Sequence, residues 1–201
     1  MRFLTVLILL SCTFKVVAQS EATPFKRFGF QAGANYSNMN FNAGYSMPAL
    51  PHQDAAWKTG FTFGFMFAVP ISDEFLIQPE FNYSQRNGSD ISLGIDYHFD
   101  FVSVPLLLSF QPISRLSILL GPQIEILINA SSDKNGVHSN ITHDVEERGI
   151  GIIGCVSFDV YESVFISARY FQGVNHVGIG QRTDVKEFKY QSALLTAGIR
   201  F

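Results

Sequence analysis

Charge is scarce in this sequence. Asp, Glu, Lys and Arg make up 15% of its 201 residues, well below the share of about a quarter usual in soluble domains. Cysteine is nearly absent, with Cys12 and Cys155 the two examples. Once the first is removed with the leader described below, an internal disulfide and a Cys-ligated metal site are excluded. A net charge of −3 supplies no basic face, so nucleic acid is not expected as a partner. Long apolar runs are missing too: nowhere do about 18 apolar residues follow one another, which excludes a transmembrane helix. Yet the hydrophobic fraction is 47%, and phenylalanine alone occurs 20 times. A membrane protein without membrane helices must be a closed barrel, because lipid cannot satisfy open backbone groups.

The stretch from Trp57 to Val69 sets the pattern. Trp57, Phe61, Phe63, Phe65, Phe67 and Val69 alternate with Lys58, Gly60, Thr62, Gly64, Met66 and Ala68. A period of two makes this a strand with one greasy and one lean face. Four phenylalanines in one row overfill an ordinary core, and the lean face is too small for a good soluble surface. Aromatics turned to lipid and small residues turned to a crowded interior fit both faces.

The pattern recurs along the chain. Before it, Phe28, Phe30, Ala32, Ala34 and Tyr36 form an apolar row. After it come Phe75, Ile77, Pro79, Phe81 and Tyr83, then a strand over about Ile95 to Phe110 with its centre at Val102 to Phe110, then Ile118 to Ile128. Ile150 to Phe158, Val164 to Tyr170 and Ala193 to Phe201 complete the set. Polar stretches rich in Asn, Gly or Ser separate some of these strands: 38–56, 87–94, 131–147 and 173–189. Tight turns at Pro70–Asp73, Pro112–Arg115 and Tyr161–Ser163 separate the others. The expectation is therefore an all-β fold. It is an eight-stranded antiparallel up-and-down transmembrane β-barrel with four longer extracellular loops and short periplasmic turns.

Residues 1–18 read as a secretory signal peptide, with Arg2 as its charged start, Phe3 to Leu10 as its apolar centre and Val16-Val17-Ala18 before Gln19 as its cleavage site. Leu9-Leu10-Ser11-Cys12 offers an alternative, being similar to a lipobox that would lipidate Cys12. Residues 19–26 form a short periplasmic lead, and 27–201 the barrel domain.

Several stretches resemble one family, the PorT-like outer-membrane β-barrel proteins of Gram-negative bacteria. They are Phe30-Gln31-Ala32-Gly33-Ala34-Asn35-Tyr36-Ser37, Ile77-Gln78-Pro79-Glu80-Phe81-Asn82-Tyr83-Ser84-Gln85, Val104-Pro105-Leu106-Leu107-Leu108, Gly121-Pro122-Gln123 and Ala168-Arg169-Tyr170. The sequence departs from the family pattern at Ser103, where Glu is usual. The resemblance implies the fold and the outer membrane, and it suggests a role accessory to secretion and gliding machinery. Phe201, ending a row of alternate apolar residues, resembles the signal read by the outer-membrane assembly machinery. That machinery and the membrane lipid are thus expected partners.

The charges on the lean faces are Lys58, Glu80, Arg86, Glu125, Asp159, Arg169 and Arg200. An eight-stranded interior holds only its own side chains, so these must pair or reach water at a mouth. We expect a structural polar network of Glu80, Glu125, Arg169 and Arg200, with Arg169 shared between the two glutamates. His52, His98, His138, His143 and His176 fall in or beside the outer loops near Asp96, Asp100 and Asp144. None has tight ligand spacing, and no catalytic, cofactor or metal site is expected. The sequence favours a structural or interaction barrel that presents its loops or anchors a partner complex in the envelope. A small pore and an outer-membrane enzyme, lipid-modifying or hydrolytic, remain alternatives.

Overall fold

The computed structural model describes residues 27–41, 55–180 and 186–201. The signal expected over 1–18, its alternative at Cys12, the lead over 19–26 and His52 lie outside these residues. Within them, the alternating stretches form strands β1 (Phe28–Asn40), β2 (Ala55–Phe67), β4 (Phe75–Asp90), β5 (Ile95–Ile113), β6 (Leu116–Lys134), β8 (Arg148–Asp159), β9 (Val164–Gly173) and β11 (Lys186–Arg200). Three short strands flank them: β3 (Val69–Pro70), β7 (Val137–Asn140) and β10 (Val177–Ile179). The eight long strands pair antiparallel in chain order, and β11 closes on β1 through twelve residue pairs from Gly29–Arg200 to Asn40–Lys189. Closure leaves no lateral edge, which is what hydrocarbon demands of a spanning sheet. Among the described residues no helix is long and apolar enough to cross a membrane.

The greasy rows face outward throughout. Phe30, Phe63, Phe81, Leu106, Ile124, Ile152, Ile166 and Ile199 are all exposed, while their neighbours on the lean face are mostly buried. Aromatic belts mark both edges of this apolar band. Below, Phe28 lies near Phe67 and Phe201, with ring centroids 5.2 and 6.4 Å away, and Phe75 meets Phe110 at 5.1 Å. Above, Tyr36 stacks on Trp57 at 5.2 Å. Tyr83 and Tyr170 occupy the corresponding outward positions of β4 and β9. From Phe75 to Tyr83 the chain climbs about 26 Å along the strand, or about 20 Å vertically at the tilt of such barrels. That matches an outer-membrane hydrocarbon layer.

Above the upper belt the pattern inverts. In β5 the apolar residues Tyr97, Phe99 and Phe101 are buried inside, and Asp96, His98 and Asp100 face outward. Below the belt, Val102, Val104, Leu106 and Leu108 face outward and Ser103 and Ser109 inward. The strand is continuous; only its surroundings change, from lipid to water. The sequence places a loop over 87–94, but Asn87–Asp90 stays paired with 95–98, leaving a turn of 91–94. It also places a structureless loop over 131–147. There β6 runs on to Lys134, Asn135 and Gly136 turn the chain with φ of 53° and 79°, and β7 returns along it. Two successive positive φ values are those of the tight hairpin turn that favours Asn-Gly. A short 3-10 turn at Thr142–Asp144 follows.

The closing seam has no spare room at Gly33, where a Cβ would run into the Leu195 carbonyl and the Thr196 Cα of β11. Gly33→Val should therefore destabilise the barrel by about 1–3 kcal/mol. The measurement is the denaturant midpoint of refolded protein, and an unchanged midpoint would show that the seam yields freely.

Candidate functional site

The lean faces of the strands meet on the barrel axis, and their charges assemble into separate ion pairs. Halfway up, Arg169 of β9 grips Glu80 of β4 with both ends of its guanidinium, at 2.6 and 3.0 Å. Gln31, Gln78 and Asn82 donate to the same carboxylate at 2.8, 2.7 and 3.0 Å. Arg169 also donates to Gln31 Oε1 at 2.6 Å and to Ser167 Oγ at 3.2 Å. Both charged partners are buried. Saturating a buried carboxylate with donors offsets its desolvation, and the planar fork of arginine suits a two-point grip.

Higher up, Arg86 of β4 pairs with Glu125 of β6, donating to Oε2 at 2.7 Å. Gln123 and Ser103 donate to the other oxygen of Glu125 at 2.7 and 3.2 Å. The Arg86 guanidinium lies 4.2 Å from the Phe171 ring centroid, 5.6 Å from Tyr190 and 5.8 Å from Phe101. Aromatic faces attract such a cation where water cannot reach it. At the lower mouth Arg200 pairs with Asp159 and lies 4.3 Å from the Phe165 ring.

Over these pairs sits an apolar cap. Phe188 packs edge-on against Tyr190 at 4.8 Å, and Phe41 and Phe99 join them at 5.6 and 6.0 Å. Val145, Val177 and Ile179 from the outer connections cover the rings, fixed by the Val145–Ile179 bridge.

The four residues expected to form one network are thus distributed over three pairs. Glu80 and Arg169 meet. Glu125 does not reach Arg169, because Arg86 takes it and the Arg169 fork is fully used by Glu80 and its amides. Arg200 stands apart at the lower mouth, and Phe201 turns outward with its N–H donating to the Phe28 carbonyl at 2.7 Å. Lys58, expected inside, is half-exposed above the lipid band and pairs with Asp96 at 3.0 Å. Burial raises the Asp96 carboxyl, but hydrogen bonds from Lys58 and Ser89 and the Lys58 charge outweigh it and hold the group below its ordinary range. The role of Gln31, Gln78 and Asn82 was not deduced from the sequence. Gln78 and Asn82 share the lean row of β4 with Glu80 and Arg86, which is a signal for their role, whereas the lean row of β1 carries no charge to mark Gln31.

The described loop histidines are not grouped as a metal site. His98 meets Asn87 at 3.0 Å and His138 meets Asp133 at 3.4 Å, while His143 is exposed. Among the described residues no three His, Cys, Asp or Glu side chains are grouped to hold a metal.

A closed eight-strand wall, apolar outside between aromatic belts and plugged within, defines a small outer-membrane β-barrel. The outer membrane protein β-barrel domain family matches residues 17–177, and the chain belongs to that family and to the outer membrane. Neisserial surface protein A shares the fold at a TM-score of 0.55, with 18% identity over 87% of this chain and 97% of its own. Ail, the attachment invasion locus protein of Yersinia pestis, is 18% identical over 88% of this chain and 99% of its own, at a TM-score of 0.47. The N-terminal barrel of Pseudomonas aeruginosa OprF is 12% identical over 86% and 97%, at a TM-score of 0.48. No curated protein matches the sequence.

Removing one member of a buried pair leaves an uncompensated charge, which typically costs about 3–5 kcal/mol. Arg169→Met should lower stability by that order, and adding Glu80→Gln should recover much of it. Adding Glu125→Gln instead should recover nothing, since Glu125 belongs to Arg86. Denaturant unfolding of the single and double variants separates the pairs; equal recovery by both double variants would mean that one shared network exists after all.

Proposed function

We propose that this protein is a non-conducting outer-membrane barrel of the interaction type, which anchors or docks a protein partner of the cell envelope and carries out no catalysis. The observation that carries this reading is the filled axis: paired charges stand at three heights in the described interior, beneath an aromatic cap. A small pore would need a water-lined path instead.

The upper surface adds support. The β4–β5 and β6–β7 hairpins stand above the lipid band and end in exposed apolar side chains, with Ile91, Leu93 and Val137 at 58%, 42% and 65%. Lipid explains apolar residues on the wall but not at these tips, where water would otherwise meet them. The sequence likeness to PorT-like barrels extends the proposal to a partner in a secretion-related complex.

Two measurements test it. In a planar bilayer the purified barrel should show no steady open channel, and a stable conductance would favour the pore. A photo-crosslinking residue at Leu93 or Val137 should trap one envelope protein in intact cells, whereas the same probe at lipid-facing Ile124 should not. Identical products from all three positions would overturn the docking role.

A further inference from the structure

The outer wall is not uniform. Across β6 and β8 it is a carpet of isoleucine, leucine and valine, but on β2 and β4 it carries ribs of aromatic rings. Phe63 packs on Tyr83 at 5.1 Å and Phe65 on Phe81 at 5.5 Å. These ribs, with Phe30 and Val102 from the flanking strands, line a cleft of about 390 Å³. Its size is that of a small-molecule site, and its lining is that of an apolar one.

The cleft lies between the two aromatic belts, so it opens into hydrocarbon. Its one lining amide, Gln31, is already bonded to Glu80, Asn82 and Arg169, and the other lining groups are almost wholly apolar, so water finds few partners there. The occupant is therefore lipid, and a cleft walled by rigid rings holds a chain with less ordering cost than a flexible aliphatic wall.

The upper end of the cleft has its own chemistry. The Tyr83 hydroxyl donates to Asp100 at 2.7 Å, and Asn129 donates to the other oxygen of that carboxylate at 3.2 Å. Asp100 is the next outward residue above Val102 on β5, where the wall passes from lipid to water. Lys58 is engaged higher up with Asp96, and exposed Arg148 lies two strands away, level with Val102 through Ile126. The charged group bonded to the cleft lining at this end, through the Tyr83 hydroxyl, is Asp100, and it is negative. We propose that the β2–β4 wall is a lipid-binding site, which holds one acyl chain of a membrane lipid whose head group carries an ammonium. The ammonium would approach Asp100 while the chain lies among the rings. This inference depends on the outer-membrane location and is independent of the docking role.

The test is native mass spectrometry of the folded barrel extracted in mild detergent. After delipidation, the barrel is offered phosphatidylethanolamine and phosphatidylglycerol with identical chains. The wild type should retain one phosphatidylethanolamine in preference to phosphatidylglycerol. Val102→Trp, which fills the cleft from the outer surface, should lose the retained lipid. Asp100→Asn should keep a lipid but lose the preference, and Ile124→Trp on the aliphatic wall should change neither.

A second readout covers poor insertion of Val102→Trp. The chain has one tryptophan, so Phe63→Trp in a Trp57→Phe background reports from the cleft alone. Chain-brominated phosphatidylethanolamine should quench it even after detergent washing. Retention by Val102→Trp equal to wild type, or quenching abolished by washing, overturns the cleft. Equal retention of the two lipids by wild type, or an adduct with the mass of a free fatty acid, overturns the head-group assignment.

Discussion

Everything in this barrel follows from one constraint: hydrocarbon offers no hydrogen bonds, so a spanning sheet must satisfy its own backbone. The β1–β11 seam is the answer to that constraint. With eight strands the wall closes so tightly that only side chains fit inside. A charge on an inner face then has no water and must find a partner across the axis. The ion pairs, the amides that saturate them and the glycines that let strands approach are all downstream of the decision to close with eight strands.

Closure also explains why the interior differs with height. In the middle, Glu80 and Arg169 are embedded in amides, a polar filling suited to a section whose outer wall is lipid. Further up, Arg86 is held by rings, and above it Phe99, Phe188 and Tyr190 form an ordinary apolar core. The upper third is in effect a water-soluble barrel built on a membrane one. The crossover in β5, between Asp100 and Val102, reads out the membrane surface in single residues.

The wall was legible in the sequence because its signal is local: a period of two survives without knowledge of any neighbour. Strand count, facing and the alternation of turns all rest on it. The extracellular elements were less legible because a polar, Asn-rich stretch looks like a loop wherever its outward face meets water. Asn135-Gly136 was nonetheless a readable hairpin signal, and the strand expected from Ile95 is present, with Tyr97, Phe99 and Phe101 turned inward and Asp96, His98 and Asp100 outward. The pairing of charges was not legible in the same way. Facing identifies the inward charges apart from Lys58, which lies where the β2–β4 register shifts. Partner choice depends instead on tilt and shear, which set the height of each strand relative to strands across the axis. Arg86 and Arg169 both point inward; only the three-dimensional stagger gives Glu125 to the first and Glu80 to the second.

Each axial ion pair is neutral, three arginines against Glu80, Glu125 and Asp159. Two of the three pairs are sealed from solvent. Mobile ions screen charges they can approach, over about 8–10 Å at ordinary ionic strength, and leave buried pairs largely untouched. The lock inside this barrel should thus hold as firmly in brine as in fresh water, while the Lys58–Asp96 contact on the rim loosens. Nor does a neutral pair present a net charge for an electric field to pull, so the two sealed pairs should be indifferent to salt and voltage alike.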